Sequence, residues 1–233
     1  MSFSAALLDL DGTLLDTIPD LADATNAMRA DLGLAPLPQA IIATYVGKGT
    51  ENLIRRALSN TAGDEAATPE KNRLGLESFA RHYRQCNGNR AVLYPGALAG
   101  LRSFRKQGVK LAIVTNKPTE FTRPLLERAG IADFFEHIVC GDTCSEKKPH
   151  PMPMLHACKL LQVDPAQALA IGDSINDAQA ARAAKITVLA VPYGYNEGQD
   201  VRTLAVDDIV SSIEAAARWA ADHRSQTQQH QTT

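Results

Sequence analysis

Five short apolar runs recur along the chain, and each of them ends in polar or glycine residues. They are AALLDLDG, VKLAIVTN, HIVCGD, ALAIGD and TVLAVPYG. The runs are rich in valine, isoleucine and leucine, and their apolar positions do not alternate with polar ones. This pattern is typical of strands that are buried on both faces of a parallel sheet. We therefore predict a parallel sheet whose strands end in polar groups.

Amphipathic stretches of helical length separate the later strands. They extend over about 96–107, 119–129, 151–161 and 176–184. Gly108 and Gly130 follow the first two stretches, as glycine commonly does where a helix ends. Strands and helices that alternate at this spacing predict an α/β fold with a doubly wound parallel sheet.

The segment 16–90 interrupts this alternation, because it contains no convincing strand. Its four periodic stretches are DLADATNAMRADLGL, LPQAIIATYV, TENLIRRALSN and PEKNRLGLESFARHYRQC. Small residues and prolines between them indicate short links between helices. We predict an all-helical domain over 16–90, inserted after the first strand of an α/β core over 1–15 and 91–223. The polar segment 224–233 predicts a disordered tail.

The composition adds exclusions to this picture. The 233 residues carry a net charge of −2, which does not indicate a nucleic acid or a membrane surface as partner. The first apolar run contains Asp9 and Asp11 and has no basic segment before it, unlike a secretory signal. The cysteines are few and scattered, which indicates reduced thiols and a cytoplasmic protein. They are Cys86, Cys140, Cys144 and Cys158.

Polar side chains follow each predicted strand, and in an open parallel sheet ligands bind beyond these carboxyl ends. The residues that we expect to converge are Asp9, Asp11, Thr115, Asn116, Lys148, Asp173 and Asp177. Lys147 is the neighbour of Lys148 in the KKPHP turn, and we expect it to be solvated. Asp177 also suits the first turn of a helix, where the dipole favours an acid.

Three clustered carboxylates repel one another unless a cation joins them, and hard oxygen ligands suit Mg²⁺. A metal there can neutralise phosphate charge while an aspartate attacks phosphorus. Lys148 and the Thr115 hydroxyl would hold the oxygens of the transferred phosphoryl group. Asp11 would protonate the leaving alcohol and later activate water.

The motifs DLDGT, VTN, KKPHP and GDSINDAQAA occur in this order and resemble the four motifs of the haloacid dehalogenase superfamily of phosphohydrolases. The resemblance extends from residue 7 to about 198. It implies that Asp9 is the nucleophile and a Mg²⁺ ligand, and that Asp11 is the general acid and base. Asp11 would also contact the metal through its backbone carbonyl. Thr115 and Lys148 would hold the phosphoryl group, with Asp173 completing the metal site and Asp177 supporting it from behind.

Longer segments resemble phosphoglycolate phosphatases within that superfamily, among them VGKGTENLIRRAL, KKPHPMPML and VPYGYNEG. This likeness implies that the helical domain is a cap that closes over the site and that 2-phosphoglycolate is the substrate. The loop of Gly47, Lys48 and Gly49 would then bind the substrate's carboxylate, and Asn116 would also contact the substrate. Lys185 stands where these proteins commonly have a glycine, so the turn there departs from the pattern of the family.

Other functions stay open at this point. The chain is also consistent with a phosphatase of another small ester, such as a sugar phosphate, or with a phosphosugar mutase. A phospho-accepting signalling domain combines similar residues but normally lacks a helical insertion after the first strand. We expect a monomer or a homodimer that acts on a small phosphate ester.

Overall fold

The computed structural model describes residues 3–59 and 67–229. Its strands, numbered along the chain, are β1 (Ala5–Leu8), β2 (Leu15–Asp16), β3 (Val92–Leu93), β4 (Lys110–Val114), β5 (His137–Val139), β6 (Ala168–Gly172), β7 (Thr187–Ala190) and β8 (Asp208–Ile209). Its helices are α1 (Ile18–Asp31), α2 (Gln39–Ala43), α3 (Thr50–Ser59), α4 (Pro69–Cys86), α5 (Ala97–Lys106), α6 (Thr119–Arg128), α7 (Met152–Leu161), α8 (Ile175–Ala183) and α9 (Ile213–Gln229).

Six of the strands form one parallel sheet in the order β5-β4-β1-β6-β7-β8. β1 lies at the centre, since Ala6 pairs with Leu111 of β4 on one side and with Leu169 of β6 on the other. The prediction of a doubly wound parallel α/β sheet is therefore confirmed. The carboxyl ends of β1, β4 and β6 meet at one edge of the sheet.

Helices cover both faces of the sheet. Leu7 and its neighbours pack against α7 and α8. Leu8 and its neighbours pack against α5, α6 and α9. Both leucines are fully buried, and burying a leucine side chain contributes roughly 1.5–3 kcal/mol. Burial of alternate residues on opposite faces explains why the strand sequences show no polar alternation.

The helices α1 to α4 pack around a separate apolar core, to which Phe121 of α6 also contributes. The chain leaves the sheet domain through β2 and returns through β3, and these two strands pair antiparallel, with Leu15 opposite Leu93. The buried carboxylate of Asp20 in α1 accepts backbone N–H groups of the returning segment. These donors are Gly88, Arg90 and Ala91, at 2.9–3.1 Å. The helical unit, which we call the cap, is thus fastened where it joins the sheet domain.

Some elements differ from the sequence-based expectation. The short strands β2, β3 and β8 and the helix α9 were absent from it. α9 continues to Gln229, so the disordered tail expected over 224–233 is wrong for its first six residues, and residues 230–233 lie outside the described part. Lys185 adopts φ 58°, so a lysine occupies the left-handed turn after α8.

No described helix combines the length and the apolar character that crossing a membrane requires. The four cysteines are all free thiols.

Candidate active site

Asp9 and Asp11 lie where β1 ends. The N–H of Asp9 donates to the carbonyl of Ile171 on β6 at 3.0 Å, which holds Asp9 at the edge of the sheet. Asp11 accepts a hydrogen bond from the Thr17 hydroxyl at 2.6 Å. Both aspartates line a cavity between the sheet domain and the cap. The spacing of one residue thus places two carboxylates on the same cavity.

Gly12 allows the loop after β1 to approach Asp173. Its φ of +88° is unfavourable for residues with a side chain, and a Cβ there would lie 2.6 Å from Oδ2 of Asp173. The next residue, Thr13, donates its hydroxyl to Oδ1 of Asp173 at 2.7 Å. The first and last motifs are therefore in direct contact, although 160 residues separate them.

Lys148 joins two of the acids. Its Nζ lies 2.9 Å from Oδ1 of Asp9 and 2.6 Å from Oδ1 of Asp177. The lysine and Asp177 side chains are almost fully buried, and that of Asp9 is 11% exposed. Burial alone would lower the pKa of Lys148, but Asp177 and Asp9 more than offset burial and raise the pKa above its usual value. Lys148 is therefore a permanent positive charge beside Asp9.

Asp9, Asp173 and Asp177 form an acidic cluster in which one carboxylate oxygen from each lies within 4.8 Å of the others. Burial, together with the charges of Asp177 and Asp173, raises the pKa of Asp9 to about 8 despite the nearby Lys148. Burial and Asp177 likewise raise the pKa of Asp173 to about 6, against the hydrogen bond from Thr13. The cluster is therefore short of positive charge.

The carboxylate oxygens of the acidic cluster are suitable ligands for a hard divalent cation. Oδ1 of Asp9 is buried and has no aligned hydrogen-bond donor among the described residues, although the Lys148 ammonium is near. Carboxylate oxygens in this number are the ligands that Mg²⁺ prefers. The Asp11 carboxylate is not in the cluster, because Thr17 and Lys117 hold it. Asp177 belongs to the cluster but is tied to Lys148 and Ser174.

Thr115 and Asn116 follow β4 at the same edge. The Thr115 N–H donates to the Val139 carbonyl at 2.9 Å, and its buried hydroxyl accepts the Lys117 N–H. The side chain of Asn116 holds backbone instead of facing outward: it bonds both the N–H and the carbonyl of Lys148. It also donates to the carbonyl of Gly47 in the cap at 2.9 Å. Asn116 therefore orients the Lys148 segment and the cap loop.

A small cavity extends from Asp9 and Asp11 toward the cap. Its volume is about 40 Å³, enough to admit water beside the two carboxylates. Apolar cap side chains form much of its wall, namely Leu21, Val46 and Leu53.

Lys117 and Tyr83 also line this cavity and were not expected from the sequence. The Nζ of Lys117 donates to the Tyr83 hydroxyl at 2.7 Å and lies 3.1 and 3.3 Å from the two oxygens of Asp11. Tyr83 comes from α4 of the cap and packs edge-on against Phe121 of α6. Burial, with a contribution from Asp11, raises the pKa of Tyr83 well above its usual value, so the phenol stays protonated.

The cap loop is only partly at the cavity. Gly47 and Gly49 line it, but Lys48 does not. The Nζ of Lys48 lies 2.7 Å from Oε1 of Glu197, and the lysine side chain is 44% exposed. Arg56 of α3 pairs with the same glutamate at 3.3 Å. The expectation that Lys48 contacts the substrate therefore does not agree with this arrangement, because a carboxylate of the sheet domain holds its ammonium.

The segment VPYGYNEG packs against the acidic cluster. The N–H of Tyr195 donates to Oδ2 of Asp173 at 2.7 Å, and the Tyr193 hydroxyl donates to the Thr13 carbonyl at 3.0 Å. A Cβ on Gly194 would lie 2.1 Å from Cβ of Asp173, so only glycine permits this approach. The segment also contributes Glu197 to the contact with the cap.

The chain is similar to known proteins over most of its length. The family model described as haloacid dehalogenase-like hydrolase matches residues 6–191. The phosphoglycolate phosphatase of Nitrosospira multiformis is 46% identical over 220 residues, 94% of this chain and 96% of that protein. The phosphoglycolate phosphatase of Thiobacillus denitrificans is 43% identical, over 93% and 95% of the two chains.

A solved structure is similar as well. The crystal structure of a predicted phosphoglycolate phosphatase from Haemophilus somnus 129pt superposes with a TM-score of 0.88 at 32% identity. The match covers 94% of this chain and 98% of that one. The likeness therefore includes both the sheet and the helical insertion.

Proposed function

Because this chain belongs to the haloacid dehalogenase-like hydrolase family and is a phosphoric monoester hydrolase, we propose that its substrate is 2-phosphoglycolate, which it hydrolyses to glycolate and phosphate. Two relatives with over 40% identity across more than nine-tenths of the chain bear the name of that activity. The observation that carries the proposal is the position of Asp9, which lines a cavity between the sheet domain and the cap and has a buried lysine 2.9 Å away.

In the first half of the reaction, a carboxylate oxygen of Asp9 attacks phosphorus and the bond from phosphorus to the ester oxygen breaks. Lys148 and the Thr115 hydroxyl hold the phosphoryl oxygens as charge shifts onto them. Asp11 in its protonated form donates its proton to the ester oxygen, which leaves as the hydroxyl of glycolate. The products of this half are glycolate and a phosphoryl group on Asp9.

In the second half, the Asp11 carboxylate takes a proton from a water molecule whose oxygen attacks the phosphorus. The bond from Asp9 to phosphorus breaks, and free phosphate and the Asp9 carboxylate result. Asp11 is thereby protonated again for the next cycle. One residue that acts first as acid and then as base thus serves both halves.

Asp9 and Asp173, with the backbone carbonyl of Asp11, would hold Mg²⁺. When bound there, the ion would neutralise phosphoryl charge and keep Asp9 ionised at neutral pH. Among the described residues of the site, two lysines, Lys117 and Lys148, lie beside four acids, which are Asp9, Asp11, Asp173 and Asp177. An anionic substrate therefore requires an additional cation. Asp177 acts through Lys148, which it holds beside Asp9.

We assign the cap to residues 16–90 and the catalytic core to 1–15 and 91–223. The cap would close over a bound ester and exclude water that is not needed for the second step. The contacts of Tyr83 with Lys117 and of Lys48 with Glu197 support a closed position, since each joins the cap to the core. The four scattered cysteines, which are free thiols, support a cytoplasmic protein.

The test is a panel of phosphate esters with phosphate release as the readout, in the presence of Mg²⁺. We expect kcat/KM to be highest for 2-phosphoglycolate, and Asp9→Asn to abolish turnover. Asp23→Asn is the matched control, because this exposed carboxylate on α1 pairs only with Arg90 among the described residues.

Other outcomes would identify the alternatives. A higher kcat/KM for a sugar phosphate would replace the proposed substrate. A transfer of the phosphoryl group between sugar positions with little phosphate release would indicate a mutase. A stable phosphorylated Asp9 without turnover of any ester would indicate a signalling domain.

A further inference from the structure

Lys117 is a positive charge in the cavity that the proposed reaction does not use. It lies two residues after Thr115, in the segment that follows β4, and its side chain is 4% exposed. Its carbon chain leads to an ammonium group that borders the same cavity as Asp9 and Asp11. A buried ammonium group is costly unless it has strong partners, so its partners indicate what it is for.

The partners of Lys117 leave capacity for an anion. Its distances to Asp11, 3.1 and 3.3 Å, are longer than the roughly 2.7–2.9 Å of a well-formed charge-assisted hydrogen bond. By contrast, the two ion pairs of Lys148 measure 2.6 and 2.9 Å. The ammonium has three N–H donors, and the Tyr83 hydroxyl is its one short contact among the described residues.

Tyr83 provides a second donor at the same place. Its oxygen accepts from Lys117, while its own proton has no acceptor among the described residues. The phenol stays protonated because burial raises its pKa. A neutral hydroxyl beside an ammonium group, both facing a cavity with apolar side chains on its cap side, is an arrangement that binds a carboxylate.

We infer that Lys117 and Tyr83 bind the carboxylate of the substrate and so select small phosphate esters that carry an acid group next to the ester carbon. This inference rests on the proposed function. Asp11 must contact the ester oxygen in order to protonate it, and Lys117 contacts Asp11. In 2-phosphoglycolate a single methylene group separates the ester oxygen from the carboxylate carbon. The carboxylate therefore lies within reach of the ammonium group.

Lys48 is the competing candidate for this role. Its ammonium pairs with Glu197 outside the cavity, and its side chain is far more exposed than that of Lys117. An exposed pair binds an anion weakly because water screens it.

The experiment compares 2-phosphoglycolate with 2-hydroxyethyl phosphate, which replaces the carboxylate by a neutral alcohol group on the same chain length. The measured quantity is the ratio of the two kcat/KM values in wild type, Lys117→Met, Tyr83→Phe and Lys48→Met. Any general effect of Lys117 on Asp11 changes kcat/KM for both substrates alike, so it cancels in the ratio. We expect the ratio to fall about 100-fold in Lys117→Met, mainly through a higher KM for 2-phosphoglycolate.

Tyr83→Phe keeps the ring packing and should lower the ratio about 5- to 10-fold, while Lys48→Met should leave it within about twofold. Tyr83→Phe keeps the inference testable if Lys117→Met does not fold. A kcat/KM ratio that is unchanged in the Lys117 and Tyr83 variants would overturn the inference. A ratio that falls in Lys48→Met alone would also overturn it. A wild type without preference for 2-phosphoglycolate would instead refute the proposed function, and the inference with it.

Discussion

Asp9→Asn should inactivate the protein and at the same time make its metal-free form more stable. The cause is the crowding of buried acids around Asp9, which raises its pKa from 3.8 to about 8. An acid whose pKa is raised in the folded state binds its proton more tightly there than in the unfolded chain. The free energy of unfolding therefore falls as the pH rises from about 4 to about 8.

Asparagine resembles the protonated acid in size and charge but does not ionise, so the variant avoids this loss. One pKa unit corresponds to about 1.4 kcal/mol, which makes the gain at most about 4 kcal/mol at pH 7 and about 2 kcal/mol at pH 5. Lys148 is not left without a partner, because Asp177 remains 2.6 Å from its Nζ. The destabilisation expected from an orphaned buried ammonium is thus absent.

The assay is thermal unfolding in EDTA at pH 5 and pH 7, followed by circular dichroism. For a chain of this size the gain at pH 7 corresponds to an increase in Tm of about 5–15 °C, and the increase should be smaller at pH 5. Asp23→Asn controls for the loss of a surface carboxylate. An equal or lower Tm for Asp9→Asn at pH 7, or a gain that does not grow with pH, would refute the reasoning.

Three further predictions concern the metal and two backbone positions. Removal of Mg²⁺ with EDTA should stop turnover, and adding Mg²⁺ back should restore it; insensitivity to EDTA would exclude the metal role. Asp173→Asn should raise the Mg²⁺ concentration that gives half the maximal rate about tenfold or more. Lys185→Gly should raise the free energy of unfolding by about 1 kcal/mol without changing activity, since it relieves a lysine at φ 58°; a lower Tm would contradict this. Gly12→Ala should cost about 3 kcal/mol or more and abolish activity, because its Cβ would meet Asp173 at 2.6 Å. Gly130→Ala is the control for both backbone changes: it has φ +67° and open space around it, so it should lower stability by only about 1 kcal/mol.

Much of the fold could be predicted from the sequence because its strands are local, continuous apolar runs. All five predicted strands occur in the sheet, and the four helices expected between them begin and end within about two residues of the prediction. The strand β8 was missed because it is short and exposed and so has no apolar signal. The helix α9 was missed because its polar second half resembles a solvated tail.

The acids and Lys148 could be found in the sequence for a related reason. Each follows a strand, precedes a helix or lies in the first turn of one, as Asp177 does, and a parallel sheet brings all carboxyl ends of its strands to one edge. Local motifs thus predicted that Asp9 and Asp173 lie at one edge, whereas the hydrogen bond of Thr13 to Asp173 across 160 positions was not predicted. Asn116 was expected at this edge for the same reason, as a substrate contact, but its hydrogen bonds to backbone were not predictable from its position.

The sequence by itself therefore determined the layers of the fold and the position of the carboxylates where the central strands end. Only the tertiary structure decided which lysine faces the cavity. Lys48 follows a glycine at a helix start and looked like an anion site, yet Glu197, distant in the chain, holds it. Lys117 became the cavity lysine because the cap brings Tyr83 against it and the loop after β1 brings Asp11. These contacts depend on how the cap packs against the sheet domain. The periodicity and the spacing of residues along the chain do not determine which side chains pair across the surfaces of these two units.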